Sequence, residues 1–107
     1  MNLPRKTPCY AVIFTSTLTD QHQGYDAMAD RMLELAAQQP GYLGVESVRS
    51  PDGTGITISY WENLNAIKAW KQNPEHLTAQ ELGKNQWYQN YSVEIARIES
   101  GYQFEQP

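Results

Sequence analysis

The apolar positions at the start of the chain follow the pattern of a β-strand. Residues 9–17, C-Y-A-V-I-F-T-S-T, are rich in β-branched and aromatic side chains, which favour strands. Alternation gives two mostly apolar faces, Tyr10, Val12 and Phe14 on one and Cys9, Ala11 and Ile13 on the other. A strand that is apolar on both faces normally has other parts of the protein packed against each face. We therefore expect helices on one face and a second sheet or subunit on the other.

The next apolar residues recur at helical spacing. They are Tyr25, Met28, Ala29, Met32, Leu35 and Ala36. This spacing places them on one face of a helix, which the sequence Gln39-Pro40-Gly41 ends because proline disfavours helical conformation in the residue before it. Tyr42–Arg49 and residues 55–61 are two further predicted strands. The intervening Pro51-Asp52-Gly53 is a turn signal, so the two strands form a hairpin.

Two asparagines mark the predicted starts of two short helices. Asn63 can cap a helix that runs through Trp70, and Asn73 precedes a proline at the favoured first helical position. Residues 91–98 alternate as a last strand. The order β-α-β-β-α-β, with a divided second helix, predicts an α+β ferredoxin-like domain in which an antiparallel sheet carries helices on one face. We expect the open face of that sheet to pack on a second copy, giving a homodimer.

Length and charge narrow the class of protein. The 107 residues suit a single domain, 1–107, with its core at about residues 9–104. Twelve acidic residues exceed eight scattered basic ones, for a net charge of −4, so we expect no nucleic-acid partner. The longest purely apolar run, residues 11–14, is too short for a signal peptide or a membrane span. We therefore expect a cytoplasmic protein that does not bind membranes.

One stretch of the chain concentrates the residues that suit a ligand pocket. Between Trp61 and Trp87 lie all three tryptophans and one of the two histidines. Indole and imidazole rings are well suited to an apolar pocket that fixes its ligand with few polar groups. On a helix beginning at Pro74, one face would carry His76, Gln80, Gly83 and Trp87.

This predicted face gives each side chain a candidate role. His76 is the natural general base, because the ordinary pKa of histidine lies near neutrality. Gln80 and the N–H group of Trp87 would orient the substrate or its developing anion. The single cysteine, Cys9, predicts no disulfide, and no grouping of histidine with carboxylates predicts a metal site.

Four segments resemble the antibiotic biosynthesis monooxygenase family. They read Y-A-V-I-F-T-S from Tyr10, A-D-R-M-L-E-L-A-A-Q-Q-P-G-Y-L-G-V-E-S from Ala29, S-Y-W-E-N-L-N-A-I-K-A-W from Ser59 and H-L-T-A-Q-x-L-G-x-x-x-W-Y from His76, where x marks a position outside the motif. The resemblance spans roughly residues 10–104. It implies a dimeric α+β barrel, in which two ferredoxin-like halves join sheet to sheet and each holds a cavity between its sheet and its helices. Residues of that cavity, and so of the substrate site, are expected to include Trp70, Phe14 and Tyr91.

The same resemblance implies two kinds of chemistry, cofactor-independent oxygenation of phenols and degradation of haem. The haem-degrading branch has an asparagine in the first strand, a tryptophan on the helix after the third strand and a histidine that binds iron. Trp70 matches the tryptophan, but residues 9–19 contain no asparagine, and Gln80 stands nearest the position of the iron ligand. Glutamine is a poor iron ligand, so we expect no haem and no other cofactor.

The sequence therefore favours a cofactor-independent monooxygenase that acts on a small aromatic or quinol-like metabolite. In this hypothesis His76 abstracts a proton, and the substrate anion itself reduces O2 in a pocket that excludes water. Two alternatives stay open: a non-catalytic dimer that binds a small ligand, and a haem-binding or haem-degrading monooxygenase. A titratable group in the cavity would favour an enzyme.

Overall fold

The computed structural model describes residues 6–107, and its elements follow the predicted order. They are β1 (Cys9–Leu18), α1 (Tyr25–Ala37), β2 (Tyr42–Arg49), β3 (Thr54–Trp61), α2 (Leu64–Lys71), α3 (Pro74–Leu82), a π-helical turn (Gly83–Trp87) and β4 (Tyr88–Ile98). The four strands form one antiparallel sheet in the order β2-β3-β1-β4. This is the strand order of the ferredoxin-like α+β fold, which confirms the predicted fold class.

The helix starts agree with the capping residues that the sequence offers. The Asn63 side chain accepts a hydrogen bond from the Ala66 N–H group at 2.8 Å. Asn73 accepts from the N–H groups of Glu75 and His76 at 3.0 and 3.2 Å. Each bond satisfies a donor that the first turn of a helix leaves without a partner. The two caps therefore separate α2 from α3 and fix where α3 begins.

The main core lies between one face of the sheet and helices α1 and α2. Its buried residues are Leu35, Ala36, Trp61, Ile67 and Trp70. Partly buried residues pack against them, among them Tyr10 and Val12 from β1 and Tyr42 from β2. Since Tyr10 pairs with Trp61 across the β1–β3 ladder, the Tyr10, Val12, Phe14 and Ser16 face of β1 is the one that meets the helices.

The last strand is longer than the predicted residues 91–98. It begins at Tyr88, because Thr17 pairs with Asn90 and Leu18 with Tyr88, with an irregularity in the register between the two pairs. Gln89 and Asn90 interrupt the apolar alternation, so the sequence pattern hid this part of the strand. Pairing with β1 supplies the backbone hydrogen bonds that extend the strand nonetheless.

Within residues 6–107 no helix covers the other face of the sheet, where apolar side chains lie beside Glu46 and Glu94. It presents Ala11 and Ile13 from β1, Ile56 and Ile58 from β3 and Val48 from β2. Val48 is 71% exposed and Ile56 is 40% exposed. We call these five residues the open face. None of the helices in residues 6–107 has the length and hydropathy needed to cross a bilayer.

Gly41 provides a test of how closely α2 approaches the loop before β2. Its φ is +84°, and a Cβ atom there would lie 2.6 Å from Ala66 Cβ. Gly24 has a similar φ of +82°, but a Cβ atom there would meet nothing within 4 Å. We predict that Gly41→Ala lowers the free energy of unfolding by about 2–4 kcal/mol, from backbone strain plus overpacking, and that Gly24→Ala lowers it by about 1 kcal/mol. Urea unfolding of both variants measures the difference, and equal losses would contradict the close approach.

Candidate functional site

His76 lies in the first turn of α3, and a backbone carbonyl group holds its ring. Its Nδ1 atom lies 2.9 Å from the Trp70 carbonyl oxygen. A carbonyl group can only accept, so Nδ1 carries the proton and the lone pair of the neutral ring is on Nε2. No residue of the described part of the chain, 6–107, hydrogen-bonds to Nε2. The ring is therefore oriented by one nitrogen and able to accept a proton with the other.

The His76 ring also ends a stack of aromatic groups. It lies parallel to Trp70, with ring centroids 4.3 Å apart and an interplanar angle of 13°. Trp70 in turn stacks on Trp61 at 6.2 Å, and Tyr42 meets Trp61 edge to face at 5.7 Å. We call Trp61, Trp70 and His76 the indole stack. Because Trp61 and Trp70 are buried in the core, the stack joins the histidine rigidly to the body of the domain.

Burial sets the protonation state of this histidine. It lowers the pKa of His76, and the charge of Lys71 acts in the same direction, while the hydrogen bond to the Trp70 carbonyl opposes them. A lowered pKa keeps the ring neutral at neutral pH. His76 is thus a proton acceptor under ordinary conditions, as a general base requires.

An ion pair beside His76 fixes the start of α3 against α1. Arg31 Nε donates to Glu75 Oε2 at 2.9 Å, and Arg31 Nη2 donates to Glu75 Oε1 at 3.0 Å. Both side chains are about half exposed, so the pair contributes little to stability. Its two parallel hydrogen bonds nevertheless restrict the orientation of the helix turn that carries His76.

A second group of rings lies around the π-helical turn. It contains Phe14, Tyr25, Trp87, Tyr88 and Tyr91, which we call the tyrosine cluster. Neighbouring centroids in this cluster are 5.3 to 5.9 Å apart. Trp87 meets Tyr25 edge to face, and its Nε1 atom donates to the Gln23 carbonyl oxygen at 3.0 Å. The Trp87 donor is therefore engaged within the protein.

The helix-facing side of β1 connects these two groups of rings. Val12 packs on the core beside Trp61, and Phe14 contacts Tyr88 and Tyr91 with centroids 5.3 and 5.4 Å apart. Residues two positions apart on one strand face are separated by about 7 Å. The indole stack and the tyrosine cluster consequently lie on adjacent parts of the same face.

Strand β4 extends this face into an uncovered apolar surface. Its residues Tyr91, Val93 and Ile95 pair with Ser16, Phe14 and Val12, so they share the helix-facing side. They are 41%, 51% and 53% exposed. Helices α1 and α2 contact β2 and β3, whereas β4 contacts the π-helical turn. We call Val12, Phe14, Tyr91, Val93 and Ile95 the β4 trough, and an exposed apolar patch of this kind is typical of a ligand or partner site.

Two hollows elsewhere on the surface lack the side chains of the candidate catalytic site. They measure about 230 and 310 Å³ and share Glu62 and Asn63 as lining residues. Gly41 and Ala66 line the larger one. His76 and Trp70 line neither, so these hollows are separate from the indole stack.

The predicted site residues do not all lie along one face of a helix; the structure divides them between two groups. It brings Trp70 to His76 and Phe14 to Tyr91. The predicted stripe is wrong at Trp87, because α3 ends at Leu82 and the π-helical turn that follows changes the rotation per residue. Gln80 stays on α3 as a half-buried residue.

Sequence reasoning missed Tyr25, Tyr88 and Arg49, which meet at the far end of this face. The Arg49 guanidinium lies 5.4 Å from the centre of the Tyr25 ring, and its Nη2 donates to the Tyr25 hydroxyl at 3.1 Å. The predicted hairpin could have indicated the position of Arg49, because the pairing of its two strands places Arg49 opposite Gly55. A Cβ at Gly55 would lie 2.6 Å from Arg49 Cζ, so glycine leaves room for the guanidinium.

The fold defines a small ferredoxin-like α+β protein with two groups of aromatic side chains on the helix-facing side of its sheet. The model of the antibiotic biosynthesis monooxygenase family matches residues 8–82, and the chain belongs to that family. It is 50% identical over 92 residues to the uncharacterized protein YqjZ of Bacillus subtilis, a match that covers 86% of this chain and 81% of YqjZ.

Solved structures with the same fold are more distant in sequence. Rv0793 from Mycobacterium tuberculosis has a TM-score of 0.78 at 14% identity, covering 89% of this chain and 99% of that one. SnoaB, a cofactor-independent oxygenase from Streptomyces nogalater, has a TM-score of 0.70 at 14% identity, covering 92% of this chain and 99% of that one. At such identities the likeness establishes the shared fold.

The lowered pKa of His76 gives a stability prediction with a definite sign. Between its folded-state pKa and about 6.5, the unfolded chain binds more protons than the folded one, so stability rises with pH across that window. We predict that wild type loses stability as pH falls below about 6.5 and that His76→Gln loses less. Denaturant unfolding from pH 5 to 8 measures this, and identical pH dependence in the two proteins would contradict the buried neutral ring.

Proposed function

We propose that the protein is a cofactor-independent monooxygenase that acts on a small aromatic or quinol-like metabolite. The observation that carries the proposal is His76, whose Nδ1 is held by a backbone carbonyl while Nε2 has no partner in residues 6–107. The family membership of the chain supports the same class of reaction. The β4 trough offers an apolar surface on which a flat ring could lie.

In the proposed reaction, His76 Nε2 removes a proton from an acidic hydroxyl or methylene group of the substrate. The resulting anion is electron-rich enough to reduce O2, so a carbon–oxygen bond forms and a peroxide results. Loss of water from a peroxide on a methylene carbon leaves a carbonyl group, with one oxygen atom in the product and the other in water. The protein need only remove the proton, hold the ring and exclude water.

The remaining predicted site residues have supporting roles in this proposal. Trp70 fixes the plane of the His76 ring, and Phe14 and Tyr91 form the wall against which the substrate stacks. Gln80, on the helix of His76, is proposed to hydrogen-bond a substrate oxygen. Trp87 supports Tyr25 from behind, because its N–H group is already bonded to Gln23.

We also propose that the open face is covered by a second copy of the chain. Isoleucines on two adjacent strands give this face an apolar surface that a monomer of this size leaves in water. A two-fold contact is self-complementary, so the same patch serves both partners. The interface would leave the β4 trough, on the other side of the sheet, accessible in each subunit.

Two alternatives use the same residues. A non-catalytic dimer would hold an aromatic ligand in the trough without using Nε2. A haem-binding protein would use Nε2 as an iron ligand, since a histidine whose Nδ1 proton is held by a carbonyl group is also the arrangement of many metal ligands. The following experiment separates all three.

We predict that His76→Gln lowers the rate of O2 consumption about 10²- to 10⁴-fold, because glutamine cannot accept the proton. O2 uptake is followed with a panel of dihydroxyaromatics and anthrones under air. His22→Gln is the matched control, since His22 is exposed and bonded to the Thr19 carbonyl oxygen in the loop before α1. It should keep the wild-type rate.

Each other outcome selects a different function. Full activity in folded His76→Gln would rule out the base. Saturable binding of the same aromatics without O2 uptake would favour the binding dimer. A sharp Soret band on titration with hemin, lost in His76→Gln, would favour the haem alternative, and we expect none.

We predict a dimer of about twice 12.2 kDa by light scattering at micromolar concentration. Ile56→Glu places a charge on the open face and should yield monomers. Leu64→Glu changes a similarly exposed residue on α2 and should leave the dimer intact. A monomeric wild type, or a dimer that tolerates Ile56→Glu, would contradict the proposed interface.

A further inference from the structure

Helix α3 is attached to the rest of the domain without a buried side chain of its own. All of its residues, Pro74–Leu82, are exposed or half-buried. The half-buried residues in its first two turns are His76, Ala79 and Gln80. Leu77, in contrast, is 46% exposed. A helix normally docks through a stripe of buried apolar side chains, so α3 depends on other contacts to stay in place.

The segment that contains α3 is fastened at both ends to fixed parts of the fold. Before the helix, the Trp70 carbonyl oxygen accepts a hydrogen bond from the Asn73 N–H group at 3.0 Å. After the helix, Trp87 is 4% exposed, and its carbonyl oxygen accepts from the Thr19 N–H group at 2.7 Å. A helix without buried side chains between two such anchors can open locally while the sheet stays folded.

The ion pair between Arg31 and Glu75 joins α3 to α1. In residues 6–107, the side-chain hydrogen bonds between these two helices are its two parallel ones, at 2.9 and 3.0 Å. Glu34 also meets Arg31, but at 3.4 Å and from within α1. An exposed ion pair changes an equilibrium by up to about fivefold. That factor is small beside the global unfolding equilibrium, but it is large for the opening of one helix that lacks buried side chains.

His76 follows Glu75 directly and lies in the same helical turn, so its ring moves with the ion pair. Two contacts with Trp70 fix the ring: the hydrogen bond from Nδ1 to the Trp70 carbonyl oxygen, and the parallel stack with centroids 4.3 Å apart. Both contacts require a close approach in one orientation. Opening of α3 therefore breaks them together, and the proton of the neutral ring is then no longer confined to Nδ1.

We propose that the Arg31–Glu75 pair is a latch that keeps α3 closed on Trp70, which makes both residues positioning residues for His76. In the closed form Nδ1 holds the proton and Nε2 is the acceptor. In the open form neither the tautomer nor the plane of the ring is fixed. The pair acts through α3 and does not touch the substrate. This inference rests on the proposed role of His76 as the base and adds the contact that keeps it in position.

The test measures the opening of α3 by NMR, from the exchange with water of the amide protons of residues 77–82 and of the His76 Nδ1 proton. In the wild type these amides should exchange faster than those of β1, with little dependence on low urea concentrations, as a local opening requires. Arg31→Gln should raise the α3 and His76 rates about fivefold, and Arg31→Lys less. Arg31→Gln leaves Glu75 in the first turn, where a negative charge favours the helix.

Glu34→Gln is the matched control, because it removes the other carboxylate beside Arg31 without changing α3. It should leave the exchange rates at their wild-type values. NaCl at about 1 M should screen the exposed pair, so it should reproduce the effect of Arg31→Gln in the wild type and have little effect on that variant.

Three results would overturn the latch: unchanged exchange rates in Arg31→Gln, an equal increase in Glu34→Gln, or α3 amides that exchange only through global unfolding. An increase at residues 77–82 without one at the His76 Nδ1 proton would show that the pair does not position the base. None of these measurements needs a substrate. A protein that never consumes O2 would therefore contradict the proposed function without affecting the latch.

Discussion

The packing of Trp61 on Trp70 is the interaction on which the candidate site depends. Trp61 is fully buried at the end of β3, and Trp70 stacks on it from the last turns of α2. That contact fixes where the Trp70 carbonyl lies, and the carbonyl holds Nδ1 of His76. One core contact thereby sets the tautomer, the plane and the burial of the histidine. A core mutation at Trp61 would therefore disturb His76 through Trp70, without a direct contact between the two residues.

Much of the fold could be predicted because local signals and the final structure agree. Asn63 and Asn73-Pro74 marked both helix starts, and the hairpin followed from its turn. The link between Trp70 and His76 was harder to predict. Both residues were candidates, but the sequence could not show that α2 ends so that its carbonyl meets the imidazole ring. That contact depends on the angle between two helices.

The part of the site that could not be predicted lies after Leu82. A π-helical turn has no simple sequence pattern, so the sequence predicts that residues 83–87 continue the helix and that Trp87 shares a face with His76. The cluster around Arg49 was missed for a different reason. Its members come from β1, α1, β2 and β4, and only the tertiary structure brings these four elements together. Non-local arrangements of this kind leave no periodicity in the chain.

Three features that are individually unfavourable for stability lie on the same side of the sheet. Tyr91, Val93 and Ile95 keep apolar surface in water, Arg49 keeps a charge without a carboxylate partner among the described residues, and the π-helical turn interrupts a regular helix. Each is unfavourable for stability when taken alone. Local conflicts of this kind are expected where a protein binds or reacts, because a ligand supplies the contacts that the chain lacks. A ligand or partner that covers β4 would supply such contacts to Tyr91, Val93 and Ile95.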